Sequence, residues 1–240
     1  MKLKHLLENT DNQFLQTREE IEEWLQRMGI QNYTINDDLN VDVNGDVSLA
    51  NRMLVFIPVK FAKVGGSFDC YGNQLTSLEG APREVGGSFR CSGNELTSLE
   101  GAPREVGDDF NCSNNGLTSL EGSLREVGGS FRCSINELTS LEGAPREVGD
   151  DFNCADNQLT SLNGAPREVG GSFFCSDNKL TSLKGAPREV GGDFGCSFNE
   201  LTSLKGAPRE VGGDFGCYGN QLISLDGIGN VEGQILSDLL

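Results

Sequence analysis

The stretch GGSFRCSGNELTSLEGAPREV, residues 86–106, decides the fold, because nearly the same 21 residues recur through most of the chain. The 8 cysteines mark the period, with one every 21 residues from Cys70 to Cys217. A repeat this short cannot bury its own apolar side chains, so neighbouring copies must stack and share one continuous core. The sequence therefore predicts a solenoid and not a pair of globular domains.

Each copy places a Phe two residues before its Cys, and this alternation puts both side chains on one face of a strand. In the first full copy, the residues predicted to point inward are Phe68, Cys70, Leu75, Leu78, Ala81 and Val85. Parallel strands stack about 4.8 Å apart, so equivalent residues form columns. An Asn three residues after each Cys is predicted to bond main-chain groups of its own and adjacent turns. The predicted structural ladders are Cys70, Cys91, Cys112, Cys133, Cys154, Cys175, Cys196 and Cys217, and Asn73, Asn94, Asn115, Asn136, Asn157, Asn178, Asn199 and Asn220.

We expect the thiols to be reduced and inert, because a buried Cys behaves as a small hydrophobe. Disulfides and zinc are the alternatives that regular spacing raises. Zinc requires clustered Cys or His ligands, which a straight column of single thiols does not supply. The acidic pairs in VGDDFN, residues 106–111 and 148–153, leave calcium as a minor alternative, although their spacing is unlike that of calcium loops. We therefore predict no metal and no cofactor.

The pattern F-x-C-x-x-N-x-L-T-S-L of residues 68–78 resembles the leucine-rich repeat, whose L-x-L-x-x-N-x-L segment is a strand followed by a turn. With their GAPREVGG return, the copies are similar to short repeats found in many bacteriophage and bacterial proteins. The resemblance covers residues 43–240 and departs from the usual pattern where Phe and Cys replace Leu. It implies a mostly β, leucine-rich-repeat-like parallel β solenoid and a phage-encoded protein, but no particular activity.

Four parts are predicted along the chain. Residues 1–16 form a polar leader, residues 17–63 a small α/β cap, residues 64–230 a solenoid of eight full repeats, and residues 231–240 a partial rung. Leu6-Leu7-Glu8 in the leader loosely resembles the sites at which phage head proteins are trimmed, so processing of the leader is an alternative to an intact start.

The cap is predicted to contain a helix, a hairpin and a degenerate first rung. Residues 17–28, TREEIEEWLQRM, begin with a Thr17/Glu20 capping box and stop at Gly29, with Ile21, Trp24, Leu25 and Met28 on one face. In VDVNGDVSL, residues 41–49, the Asn-Gly pair at 44–45 predicts a hairpin turn. The Val-x-Leu of residues 47–49 falls in register with the Phe-x-Cys of residues 68–70, which makes it the first rung.

Charge excludes some classes of partner. The formal net charge of -17 repels nucleic acid and acidic membranes, and no apolar run is long enough to span a bilayer. We expect a cytoplasmic protein, in the host cell if it is phage-encoded, with the virion as an alternative location. A DNA mimic directed at a nuclease is a weaker alternative, because Arg is interleaved with the acids. Seven Arg-Glu pairs, from Arg83-Glu84 to Arg209-Glu210, are predicted to form solvated, mutually paired columns on the convex side.

The expected function is non-enzymatic recognition of a protein partner through the concave sheet face. Catalysis finds little support, since the sole histidine, His5, lies in the leader and the thiols are buried. Outward positions vary between repeats while inward ones barely change, which is typical of a scaffold with a variable binding face. The partner-binding candidates are Tyr71, Arg90, Arg132, Ile135, Phe174, Phe198 and Tyr218.

Two other interpretations remain open. Scattered exposed apolar residues often have no role, and the near-duplication of residues 85–126 in 127–168 can explain matching rows without a ligand. The protein can also be a structural or decoration component of a virion or other assembly, attached through the N-terminal cap, with self-assembly as a further expectation.

Overall fold

The computed structural model describes residues 13–239 as a parallel β-solenoid of about nine turns. Within these residues the chain forms one helix and 21 short strands. In chain order they are α1 Arg18–Met28, β1 Tyr33–Ile35, β2 Val41–Val43, β3 Val47–Ser48, β4 Phe61–Val64, β5 Phe68–Asp69, β6 Glu84–Val85, β7 Phe89–Arg90, β8 Glu105–Val106, β9 Phe110–Asn111, β10 Glu126–Val127, β11 Phe131–Arg132, β12 Glu147–Val148, β13 Phe152–Asn153, β14 Glu168–Val169, β15 Phe173–Phe174, β16 Glu189–Val190, β17 Phe194–Gly195, β18 Glu210–Val211, β19 Phe215–Gly216, β20 Asn230–Val231 and β21 Ile235–Leu236.

Each 21-residue copy contributes one strand to each of two walls. The Phe wall consists of the ten strands β3, β5, β7, β9, β11, β13, β15, β17, β19 and β21 in a single sheet. The Glu–Val wall consists of β4, β6 and β8, which continue a sheet begun by β1 and β2, and of a second sheet that runs from β10 to β20 through the even-numbered strands. Equivalent residues pair in register, as Phe131 does with Phe152 and Val148 with Val169. The predicted parallel β solenoid is therefore confirmed.

A ladder of stacked phenyl rings runs through the core. Neighbouring rings from Phe68 to Phe215 have centroids 5.2–5.7 Å apart, wider than the strand separation of about 4.8 Å because the rings are offset. The ladder enters the cap through Phe61, 5.3 Å from the Phe68 ring, and Trp24 beyond it. The residues predicted to point inward in the first copy are all buried.

The Asn ladder joins each turn to the one before it. Asn157 Nδ2 donates to the carbonyl of Cys154 in its own turn and to that of Cys133 in the preceding turn, both at 3.1 Å. Its Oδ1 accepts the Leu138 N–H at 3.0 Å. The same arrangement repeats from Asn73 to Asn220, so the predicted structural role of these amides is confirmed.

The helix of the cap forms as its capping pattern predicts. The Glu20 N–H donates to Thr17 Oγ1, the Thr17 N–H donates to the Glu20 carboxylate, and the helix ends at Gly29 with φ +76°. Its apolar face, Ile21, Trp24, Leu25 and Met28, is buried. The helix therefore covers the first turns of the solenoid core.

The predicted hairpin in residues 41–49 is wrong. Strand β2 pairs in parallel with β4 and antiparallel with β1, whereas β3 pairs in parallel with β5. Asn44-Gly45 forms a corner between the two walls, and hydrogen bonds from the next turn hold this corner in place. Gly65 N–H donates to Val43 O at 2.8 Å, and Gly66 N–H donates to Gly45 O at 3.1 Å. The antiparallel pair is β1 with β2. The predicted register of residues 47–48 with 68–69 is confirmed.

Residues 1–12 and 240 lie outside the described part of the chain. Most of the predicted leader falls there, with His5 and the Leu6-Leu7-Glu8 segment. Across residues 13–239, no helix has the length and apolar character needed to cross a membrane.

Candidate functional site

The position two residues after each Cys forms a column at the turn that leaves the Phe wall. We call it the turn column, and its members are Gly72, Gly93, Asn114, Ile135, Asp156, Asp177, Phe198 and Gly219. All eight have a left-handed backbone, with φ between +54° and +68°. Hydrogen bonds to the next turn enforce this geometry, since Ile135 N–H donates to Ala155 O at 3.1 Å and Phe198 N–H to Tyr218 O at 2.7 Å.

Two members of the turn column are unsuited to its backbone. Gly, Asn and Asp adopt the left-handed region readily, whereas for other residues, and above all for a β-branched or bulky one, it costs about 1–2 kcal/mol. The two exceptions, Ile135 and Phe198, are also 53% and 60% exposed. Their side chains therefore strain the backbone while leaving much of their apolar surface in water, which is how residues held at functional sites behave.

Two carboxylates separate these apolar residues. Asp156 and Asp177 occupy the two intervening turns and are exposed, and their carboxylates accept no hydrogen bond from other residues of the described chain. Burial and the nearby charge of Asp156 raise the pKa of Asp177. The result is an apolar–acid–acid–apolar series, Ile135, Asp156, Asp177 and Phe198, which we call the central strip. Of these four residues, the sequence analysis selected only the apolar pair.

Arg132 is held within the fold, unlike Arg90 in the same row. Its Nη1 lies 3.1 Å from Asp109 Oδ2, and its Nη2 donates to Ser130 Oγ at 3.1 Å. Burial acts to raise the pKa of Asp109, but the Ser130 N–H and the Arg132 guanidinium outweigh it and lower that pKa. Arg90 is exposed and its side chain makes no hydrogen bond among the described residues. Of the two predicted arginines, Arg90 is the one free to contact a partner.

The aromatic candidates lean over glycines of the following turn. A Cβ atom at Gly195 would lie 3.0 Å from Phe174 Cδ1, and one at Gly219 would lie 2.5 Å from Phe198 Cδ1. Phe174 is half-buried by this packing, so it supports the sheet, whereas Phe198 remains mostly exposed. Aromatic cover of a neighbouring glycine is a known way to stabilise a sheet.

The predicted partner residues do not form one compact cluster. They extend from Tyr71 to Tyr218, seven turns or about 34 Å at about 4.8 Å per turn. Those two tyrosines are 46% and 40% exposed and lie next to the turn column. The sequence analysis missed two exposed apolar residues, Met53 and Ile223, which are 80% and 90% exposed.

A groove of about 2220 Å³ lies over the Glu–Val wall, lined by residues from Arg104 to Glu232. The predicted placement of the Arg-Glu columns on a convex side is therefore wrong, and the predicted partner residues lie on the other wall. The predicted pairing within the columns is also largely absent. Within residues 13–239 the Arg and Glu columns form one ion pair, Arg188–Glu189 at 3.6 Å. Pairing along the rest of the columns is not favoured, because exposed charges gain little free energy from an ion pair.

The Glu–Val wall is interrupted between β8 and β10. The interruption coincides with the copy in which Ser123-Leu124 replaces the Ala-Pro found at these positions in six other copies. Leu124 is buried in place of the proline, and Ser123 Oγ is buried without a hydrogen-bond partner among the described residues. The groove therefore spans the copy that carries this substitution.

The thiols and acidic pairs serve the fold. Burial raises the pKa of every Cys from Cys70 to Cys217, so no thiolate is available as a nucleophile. In VGDDFN, Asp109 and Asp151 accept the N–H groups of Ser130 and Ser172 in the next turn. The described chain holds no group of three or more His, Cys, Asp or Glu arranged for a metal ion.

No protein-family model matches the chain, and no curated protein is significantly similar to it. A functional proposal for this protein therefore rests on its own residues. Among them, Ile135 and Phe198 of the central strip are exposed apolar residues that the left-handed backbone of the turn column does not favour.

Proposed function

We propose that this protein is a non-enzymatic recognition scaffold that binds a protein partner through the central strip. The observation that supports the proposal is the pair Ile135 and Phe198, which expose most of their apolar surface from a left-handed backbone. A Gly, Asn or Asp at either position would suit the fold better. Residues that oppose the stability of the isolated fold are expected where they contribute to binding instead.

The scaffold beneath the strip favours binding. The turn column is bonded from turn to turn and lies directly above buried Cys and Asn ladders, so little conformational freedom is lost when a partner docks. The net charge of -17 attracts basic surfaces and repels nucleic acid, which favours a protein partner with a basic face. The resemblance to short phage and bacterial repeats supports a host or defence protein as that partner.

The test compares partner capture by the wild type and by the double variant Ile135→Asn/Phe198→Asn. Asn tolerates the left-handed backbone, so the double variant is expected to fold with an unchanged or higher unfolding midpoint. Ile223→Asn is the matched control, because Ile223 is 90% exposed and lies outside the strip. Quantitative affinity purification should show proteins captured by the wild type and the control but lost from the double variant. Capture of the same proteins in equal amounts by all three would contradict the proposal.

A second candidate function has its own supporting observation. Met53 is 80% exposed with φ +57°, Val55 nearby is 47% exposed, and both residues lie within the cap of residues 17–63. These residues favour a structural or decoration component attached to a virion or other assembly near its N-terminal cap. Met53→Asn/Val55→Thr should then abolish co-sedimentation with the assembly while the central-strip variant retains it. Equal co-sedimentation of both variants would remove this candidate.

A further inference from the structure

We propose that the central strip binds an extended peptide segment that lies along the solenoid axis and carries the pattern apolar-x-cation-x-apolar. The inference rests on the proposed function and names the chemistry of the partner. Ile135 and Phe198 would contact the two apolar side chains, and Asp156 and Asp177 would hold the Lys or Arg between them.

The spacing of the strip matches that of an extended chain. Ile135 and Phe198 are three turns apart, about 14 Å at about 4.8 Å per turn. In an extended segment, residues i and i+4 lie on one face about 13–14 Å apart, and i+2 lies midway. That midpoint, about 7 Å from either end, falls between Asp156 and Asp177, at about 5 and 10 Å along the strip. One extended segment of five residues can therefore contact all four side chains of the central strip.

A helical segment does not fit the same spacing. At 1.5 Å per residue, about 14 Å corresponds to nine or ten residues. Nine residues turn a helix through about 900° and ten through about 1000°, which places the two apolar side chains on different faces. The strip therefore selects an extended partner over an amphipathic helix.

Charge complementarity supports a cation at the middle position. The two carboxylates are in successive turns and are not paired with a basic residue in the described chain. Burial and the charge of Asp156 together raise the pKa of Asp177, and a bound ammonium or guanidinium group would offset the charge repulsion between the two carboxylates. The Phe198 ring leans toward Gly219, away from Asp177, so the ring leaves this carboxylate accessible.

The test uses synthetic peptides and fluorescence anisotropy with the full chain. The parent peptide carries the core Leu-Thr-Lys-Thr-Phe between Gly-Ser flanks. The matched control has the same composition with the core Leu-Lys-Thr-Thr-Phe, which turns the cation to the opposite face of the extended chain. We expect the parent peptide to bind at least tenfold more tightly than the control, and its affinity to fall as the NaCl concentration rises.

Protein variants test the role of the acids. Asp156→Asn/Asp177→Asn keeps side chains that suit the left-handed backbone and removes both charges. We expect it to weaken binding of the parent peptide at least tenfold, with no change in unfolding midpoint, whereas Ile223→Asn leaves binding unchanged. The inference would be supported by saturable binding of the parent peptide that is weaker both for the control peptide and for the Asp-to-Asn variant.

Three results would each overturn it: no saturable binding of the parent peptide, equal binding of the control peptide, or equal binding by the Asp-to-Asn variant. The proposed function is judged separately by capture of cellular proteins. If capture depends on Ile135 and Phe198 but the parent peptide does not bind, the strip binds a partner of different shape. In that case the inference fails and the proposed function stands.

Discussion

Removal of one rung of the Asn ladder is the sharpest test of how this fold is held together. Asn157 is 4% exposed and joins two turns. Its Nδ2 donates to the carbonyls of Cys133, Cys154 and Ala155, each at 3.1 Å, and its Oδ1 accepts the Leu138 N–H at 3.0 Å. The perturbation is Asn157→Ala, which removes all four contacts at once.

The cost follows from which partners lose their last bond. The carbonyls of Cys133 and Cys154 keep the bonds donated by Asn136 at 3.0 Å and Asn178 at 3.1 Å, in the turns on either side. The Leu138 N–H is left buried without an acceptor, which costs about 1–3 kcal/mol. The two Nδ2 hydrogens contribute about 1 kcal/mol each through their bonds. Asn157→Ala should therefore lower the free energy of unfolding by about 3–5 kcal/mol.

The isosteric change Asn157→Asp separates hydrogen bonding from packing. The introduced carboxylate can still accept from Leu138, but it turns an acceptor toward the carbonyl oxygens that Nδ2 served. Burial beside those oxygens raises the folded-state pKa of the introduced group above its unfolded value of about 4. The variant's stability is thus highest below that unfolded value and falls as pH rises toward the folded pKa. At neutral pH it should be less stable than Asn157→Ala.

The assays are guanidinium unfolding followed by circular dichroism at several pH values and hydrogen exchange of the Leu138 amide. Exchange at Leu138 should accelerate in Asn157→Ala more than exchange of amides several turns away. If Asn157→Ala lowers the free energy of unfolding by less than about 1 kcal/mol, the assigned hydrogen-bond contributions are wrong, because one buried N–H without an acceptor should cost more than that. An Asn157→Asp variant as stable as the wild type at neutral pH would refute the assigned donor directions.

Three further outcomes test other parts of the fold. In the native reduced protein, a bulky maleimide should leave the interior thiols unlabelled because burial raises their pKa, and Cys217, under the last described rung, should react first. Mass spectrometry of a labelling time course measures the order of reaction. Rapid labelling of all eight thiols would contradict the stacked core. Gly143→Ala should destabilise by at least about 2 kcal/mol in chemical unfolding, because φ is +90° and the new Cβ would lie 2.7 Å from Leu120 main-chain atoms; an unchanged midpoint would argue against that close approach. Thr17→Ala should cost about 1 kcal/mol by removing the N-cap bond to Glu20, measured by thermal unfolding, and Thr17→Ser should restore it.

The inward columns were predictable because strand alternation and a strict period leave little choice. Phe68 and Cys70 share a face, and a copy every 21 residues puts their equivalents directly above them. The Asn ladder was predictable for the same reason, since a buried amide in every turn must meet main-chain groups. The hairpin at Asn44-Gly45 failed because a local turn preference was outweighed by bonds from the next turn, which are remote in sequence.

The candidate site was only partly predictable. The variable position two residues after each Cys can be found by counting along the repeats, and it includes Ile135 and Phe198. Counting does not show that the non-glycine residues of the turn column have φ near +55°, that Arg132 pairs with Asp109, or that Phe174 is half-buried over Gly195. Without the backbone geometry, Asp156 and Asp177 look like ordinary turn residues.

The sequence by itself determined the number of turns, their register and the composition of the core, because those depend on periodicity alone. Tertiary structure alone decided which wall carries the groove, which exposed residues strain the backbone and which charges are already paired. These properties depend on how successive turns are displaced and rotated in space, and that displacement is set by main-chain bonds between residues about 20 apart in sequence, which the residues of a single copy do not reveal.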